Sequence, residues 1–248
     1  MVFLDKIVQI PRRTMVLFFL VDTSGSMTGD KIGAVNSAIE EVLPELKDIS
    51  ESNADAQIKI AALKFATEAE WCYNAPIEAE NFRWNYLNAS GVTAFGTACE
   101  KLNEKLSSKA FMSDATGSFA PAILLMTDGE PTDNWRDGLN KLRQNSWFKH
   151  AIKVGIAIGN DANKSIIAEF TGTPEAVLEV HQREALKKMI QFVSVRASQI
   201  ASKGSGVDAG NPDPSAATTS SKQVELIKEL KEMRSAAADP DGWGDDTF

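Results

Sequence analysis

Asp22, Ser24 and Ser26 stand in the stretch Asp22-Thr23-Ser24-Gly25-Ser26, directly after the apolar run Met15-Val16-Leu17-Phe18-Phe19-Leu20-Val21. A carboxylate and two hydroxyls at alternate positions of a loop can turn hard oxygens toward one point. Such oxygens suit a divalent cation. Magnesium takes six of them at about 2.1 Å and keeps some waters, whereas calcium accepts looser, larger shells. Alternation on an extended loop predicts that the three side chains share one side. Gly25 is expected to take backbone angles that other residues resist. A second stretch, Met126-Thr127-Asp128-Gly129-Glu130, ends another apolar run and adds the carboxylate of Asp128. Thr93, in Ser90-Gly91-Val92-Thr93, offers a third hydroxyl from a loop. The D-x-S-x-S pattern alone arises by chance, and Asp or Ser there often merely caps the following helix. Its pairing with Thr93 and Asp128 is what points to a metal. Thr97 is expected to cap a helix or to back the ligands, and Glu130 and Asp133 to flank the site.

These residues need a scaffold that ends strands side by side. Residues 15–21 read as a strand buried on both faces, being continuous, apolar and bounded by a loop. In residues 29–50, Ile32, Val35, Ile39, Val42, Leu43 and Leu46 recur at helical steps, with Pro44 as a point of kink or early stop. Residues 56–65 alternate as a strand, and 69–73 form a short partner at an edge. Residues 87–98 read as loop, 98–106 as helix, 121–127 as a second buried strand, and 133–144 as a helix with Asp133 as candidate N-cap. A third buried strand spans 151–158, a short helix 162–170, a last strand 176–180 and a long helix 183–202. Strands alternating with helices predict an α/β, Rossmann-like fold: a central, mostly parallel sheet with helices on both faces. Sites in such sheets lie outside the carboxyl ends of the strands, where both oxygen-rich loops fall. The expected organisation is a domain over 1–203, a flexible linker over 204–222, and over 223–248 a short amphipathic helix with an acidic tail. Leu226, Ile227, Leu230 and Met233 give that helix an apolar stripe, which needs a surface on its own domain or on a partner.

Composition narrows the classes of function. The 248 residues are 43% hydrophobic and 24% charged, which is ordinary for a globular chain. A net charge of −8 argues against a nucleic-acid or anionic-membrane surface. Cys72 and Cys99 have no metal-finger spacing and are expected to be free thiols. The N-terminus puts its basic pair after its apolar part, unlike a signal peptide, and residues 15–21 are too few to span a bilayer. A cytoplasmic protein is the expectation. No serine-hydrolase elbow, P-loop or G-x-G-x-x-G occurs. His150 and His181, far apart in sequence, are expected at the surface rather than in catalysis. Phe95, Phe111, Phe119, Trp135, Trp147 and Phe148 are read as core packing, with an apolar rim to a binding surface as the alternative.

Val21-Asp22-Thr23-Ser24-Gly25-Ser26-Met27, Gly91-Val92-Thr93 and Thr127-Asp128-Gly129-Glu130 resemble the von Willebrand factor A domain family and its metal-ion-dependent adhesion site. The resemblance covers residues 12–203, and all five motif positions are filled, by Asp22, Ser24, Ser26, Thr93 and Asp128. With Arg12-Arg13 ahead of the first strand, the chain looks most similar to the tellurite-resistance TerY-like branch. The resemblance implies a magnesium ion at the top of the sheet, with manganese or calcium as substitutes. It implies that the serines and Thr93 bind the metal directly while Asp22 and Asp128 act mainly through waters, leaving a place for a partner's Asp or Glu. It further implies a non-enzymatic scaffold in a stress response, associated with a protein kinase and a phosphatase. Two alternatives stand beside it: a metal-dependent phosphoester hydrolase, and an accessory subunit of a chelatase or AAA ATPase. Against the first, Ser24 fills the position where an aspartyl-phosphate enzyme would carry its second Asp.

Overall fold

The computed structural model describes residues 12–54, 56–114, 117–160, 162–202 and 221–237. Its strands are β1 (Arg13–Asp22), β2 (Ala56–Phe65), β3 (Ala69–Trp71), β4 (Ile77–Glu78), β5 (Ala122–Thr127), β6 (Ile152–Ile158) and β7 (Val177–Val180). They form one sheet in the order β3-β2-β1-β5-β6-β7, with β4 also on β2. β2, β1, β5, β6 and β7 run parallel, and the short β3 and β4 pair antiparallel with β2. The fold class read from the sequence is therefore observed, and β4 is an addition to it.

β1 lies in the middle because its residues are apolar on both faces. Met15, Leu17, Phe19 and Val21 point into one core with α1 (Asp30–Ser52) and α6 (Arg183–Ser202). Val16, Phe18 and Leu20 point into the other, with α2 (Phe95–Lys105), α3 (Trp135–Gln144), α4 (Ser146–His150) and α5 (Lys164–Thr171). α1 continues through Pro44 to Ser52, so no early stop occurs. Its buried face, from Ile32 to Leu46, outweighs the local cost of the proline. Phe95, Phe111, Phe119, Trp135 and Phe148 are all buried, Phe119 in the core with α1 and α6 and the others in the opposite core, against which Trp147 packs partly buried. The core reading of these aromatics holds and the rim reading does not. His150 Nδ1 meets the Ser146 carbonyl, and His181 lies beside Glu179 at the surface. No helix among the described residues is long and apolar enough to cross a membrane.

The helix expected at 223–233 is α7 (Ser221–Ala237), and its stripe settles on its own domain. Leu226 and Leu230 are fully buried in the core shared with α1 and α6. Gln223 reads the backbone of β6: its Oε1 accepts from Lys153 N at 2.6 Å, and its Nε2 donates to Lys153 O at 2.8 Å. β7 pairs with β6 only from Gly155 onward, so the Gln223 amide supplies the ladder that β7 does not reach. Of the linker expected at 204–222, residues 204–220 lie outside the described residues, as does the acidic stretch 239–248. Gln223→Ala would leave both backbone groups of Lys153 without a partner, at a cost of about 1–3 kcal/mol. Hydrogen exchange should show the Lys153 amide exchanging at least about tenfold faster.

Lys153 is buried, its ammonium donating to the carbonyls of Phe148 at 2.9 Å and Ala151 at 3.0 Å. Burial lowers its pKa from the ordinary lysine range to about 8. Below that pH both folded and unfolded chains carry the proton, and the fold bears the full cost of the buried charge. Between pH 8 and 10.5 the unfolded chain holds the proton and the folded chain does not, so stability rises with pH. Chemical denaturation from pH 7.5 to 10.5 should show the wild type gaining about 2–3 kcal/mol relative to Lys153→Met.

Candidate metal centre

β1 and β5 are paired with Val21 beside Met126, which brings Asp22 and Thr127 level at the carboxyl edge. Here the chain crosses from β2 on one side of β1 to β5 on the other, the switch point where ligands of parallel sheets bind. Asp22 is fully buried. Its Oδ2 accepts from Thr127 Oγ1 at 2.5 Å, and its Oδ1 from Ser24 N at 2.8 Å. Burial raises its carboxyl above the ordinary range and the nearby Asp128 adds to the rise, while the bonds from Thr127 and Ser24 oppose it.

Beyond Asp22 the loop is not extended. Gly25–Met27 forms a 3-10 turn, and this turn, rather than alternation, brings Ser24 Oγ to 3.1 Å from Ser26 Oγ. Nor does Gly25 take a left-handed conformation; that role falls to Gly91, at φ 82°. Gly25 is needed for close approach. A Cβ on it would lie 3.2 Å from the Gly91 carbonyl, which accepts the Gly25 N–H at 2.9 Å. Ser90 N donates to Thr23 O at 2.7 Å, Ala94 N to Ala66 O at 2.7 Å, and Thr132 N to Thr93 O at 2.8 Å. Thr93 is thus held among three other loops. It is buried, and its hydroxyl has no hydrogen-bond partner among the described residues.

Asp128, also buried, accepts from Ser26 Oγ at 2.7 Å through Oδ1 and from Lys31 Nζ at 2.6 Å through Oδ2. Gly129 leaves a notch among these groups. A Cβ on it would lie 3.3 Å from Thr93 Oγ1, 3.4 Å from Ser26 Oγ and 4.0 Å from Asp22 Oδ2. The Ser24–Ser26 oxygen separation of 3.1 Å matches the edge of an octahedron of about 3.0 Å that a small cation at about 2.1 Å requires. The donor set is oxygen throughout, and no group of three or more His, Cys, Asp or Glu side chains among the described residues forms a competing centre. The structure therefore brings Asp22, Ser24, Ser26, Thr93 and Asp128 to one place, with the Thr93 and Ser26 hydroxyls on the notch, Ser24 beside Ser26, and both carboxylates already held by protein donors. Val92, half exposed beside Thr93, adds an apolar side chain to the rim.

Asp133 departs from expectation. α3 begins at Trp135, and the Asp133 carboxylate caps α2 instead, accepting from Gly96 N and Thr97 N at 3.0 Å each. α2 begins three residues before its expected start, and the end that the apolar pattern hid is fixed by a carboxylate from another loop. Thr97 Oγ1 lies 3.4 Å from the same carboxylate, and Glu130 accepts from Asn163, so both flank the cluster. Sequence reasoning missed Lys31, the Thr127 hydroxyl and the Gly129 notch. A lysine in the first turn of a helix, where the macrodipole disfavours a cation, was the available signal for Lys31.

The sequence matches no curated protein significantly. Among solved structures, the chain is similar to proximal thread matrix protein 1 from the mussel byssus with a zinc-occupied MIDAS motif, at TM-score 0.58 and 14% identity over 75% of this chain and 48% of that one. It is similar to a von Willebrand factor type A protein from Catenulispora acidiphila, at TM-score 0.56 and 16% identity over 75% and 43%. It is also similar to the pilus adhesin SpaC from Lactobacillus rhamnosus GG in an open conformation, at TM-score 0.60 and 13% identity over 76% and 30%. The chain thus spans less than half the length of each of these proteins, and at such identities the likeness concerns the fold. The model of the von Willebrand factor type A domain matches residues 17–192, from the middle of β1 into α6, and the chain belongs to that family.

Proposed function

We propose that Ser24, Ser26 and Thr93 hold a magnesium ion, with Asp22 and Asp128 behind them, and that the chain is a metal-dependent protein-binding module rather than an enzyme. The observation that carries this is the Gly129 notch, bordered by the Thr93 and Ser26 hydroxyls with Asp22 Oδ2 farther back, while both buried carboxylates are held by protein donors. A bound dication supplies Lewis acidity toward a further oxygen ligand, here the Asp or Glu of a partner protein. Asp22, gripped by Thr127 and Ser24, orients the turn that presents the serines. Asp128 draws the Ser26 hydroxyl proton toward itself, which turns the Ser26 lone pairs to the notch. Val92 gives the partner an apolar contact at the rim, so that affinity need not come from charge alone. Manganese or calcium would fit the same oxygens less selectively.

The hydrolase alternative is weaker because neither carboxylate is free to serve as a base, and the two histidines are engaged away from the notch. The finer reading is a cytoplasmic scaffold of the tellurite-resistance type, serving a kinase and a phosphatase in a stress response. It is supported only by the resemblance around Arg12-Arg13 and residues 21–27.

Gly129→Val tests the site without altering any proposed ligand, since Gly129 does not occupy the left-handed region. Wild type should bind one manganese ion, read by electron paramagnetic resonance and displaced by magnesium. Gly129→Val and Thr93→Val should each weaken it by at least about tenfold, the loss of about 1.4 kcal/mol. Unchanged binding in both variants would falsify the site. Magnesium-dependent capture from lysate, lost in chelator, should then identify the partner; kinase and phosphatase peptides are expected.

A further inference from the structure

Lys31 is the second residue of α1, and its side chain spans from that helix to the candidate site. Its Nζ lies 2.6 Å from Asp128 Oδ2; the Asp128 side chain has no exposure and that of Lys31 only 19%. The stem crosses Gly159 at the end of β6, where a Cβ would lie 3.2 Å from Lys31 Cε and 3.3 Å from Nζ. Two features of this placement oppose stability. A cation in the first turn meets the positive end of the helix. Its ammonium also gives up most of its water for one carboxylate, a trade in which desolvation offsets much of the attraction.

The charges at the site show what that placement does. With both carboxylates ionised, Asp22, Asp128 and Lys31 sum to −1, and a dication brings the sum to +1. Without Lys31 the corresponding sums are −2 and 0. Lys31 thus reverses the sign of the site on metal loading, where its absence would leave the loaded site neutral. We propose that Lys31 is a positioning residue that tunes the candidate metal site, weakening its hold on the dication and strengthening the loaded site's hold on an incoming carboxylate. This rests on the metal-site reading above and adds to it. Coupling follows from thermodynamic reciprocity: if Lys31 strengthens a carboxylate's hold on the loaded site more than on the empty one, where no metal draws the carboxylate in, then a carboxylate must raise metal affinity more with Lys31 than without it. The competing role is structural, with Lys31 serving only as counter-ion to the buried Asp128.

The test is manganese titration of the full chain, followed by electron paramagnetic resonance, with and without acetate, using chloride to hold ionic strength constant. Lys31→Met should bind manganese about tenfold more tightly in the absence of acetate, within the usual range of couplings between sites. The tightening that acetate produces in wild type should be lost in Lys31→Met and kept in Lys31→Arg. Lys31→Gln, which keeps a donor for Asp128 but no charge, should behave like Lys31→Met and serves in its place if the latter does not fold. Unchanged or weaker manganese binding in a folded neutral variant overturns the proposal and leaves Lys31 a structural counter-ion. No manganese binding by wild type overturns the metal site itself, and this proposal with it.

Discussion

A carboxylate buried at the end of the central strand is the constraint around which the carboxyl edge is organised. Asp22 has no solvent contact, and a buried charge without partners costs several kcal/mol. Its donors come from two sources. Thr127 reaches it because β5 runs parallel to β1 in register, and Ser24 N reaches it because the chain turns at once. Asp128, one residue beyond Thr127, is a second buried carboxylate, near enough to raise the first. The edge therefore holds more negative charge than its hydrogen bonds offset, with the Lys31 ammonium as the nearby counter-charge. A site with this surplus favours a cation before any ligand geometry is considered.

The oxygens are held in place chiefly by backbone. Loops are usually the mobile parts of a domain. Here main-chain bonds link Gly25 to Gly91, Ser90 to Thr23, Ala94 to Ala66 and Thr132 to Thr93, so four loops fix one another. The Asp133 cap extends the lock to α2, whose first turn follows Thr93 directly. The helix packing nearby is equally close, since a Cβ on Gly96 would lie 2.7 Å from the Trp135 Cα. Hydroxyls held this way lose little freedom on taking a ligand, which is the advantage of preorganisation.

The sequence made much of this legible, and the limits have physical causes. β1, β5 and β6 were readable because parallel strands buried on both faces appear as unbroken apolar runs. The oxygen-bearing residues were readable because carboxylates and hydroxyls at strand ends are conspicuous. How the oxygens converge was not readable, since it depends on tertiary contact. Alternation suggested an extended loop, whereas close approach to Gly91 folds residues 25–27 into a 3-10 turn. Asp133 read as the cap of its own helix because local sequence cannot show that α2's exposed N–H groups lie across the gap. The lysine at 31 read as one more helix residue, because its partner is 97 positions away. The start of α2 was masked by glycine and threonine, which score as loop until packing holds them.

The two ends of the sheet are treated in opposite ways, and the contrast follows from strand polarity. Near the amino end of β6, Gln223 completes the ladder and Lys153 spends its ammonium on two carbonyls. Polar groups there are matched within the chain, and α7 closes over them. At the carboxyl end of β1 and β5 the hydroxyl of Thr93 has no partner among the described residues, and Ser24 and Ser26 meet each other, with Ser26 also donating to Asp128. Parallel strands direct their loops after each carboxyl end to a common edge, so oxygens from distant parts of the chain can meet there. Closing that edge as the other is closed, with donors from the chain itself, would satisfy the same oxygens and leave nothing for a ligand. Binding capacity in this fold therefore comes from matching polar groups at one end and leaving acceptors in excess at the other.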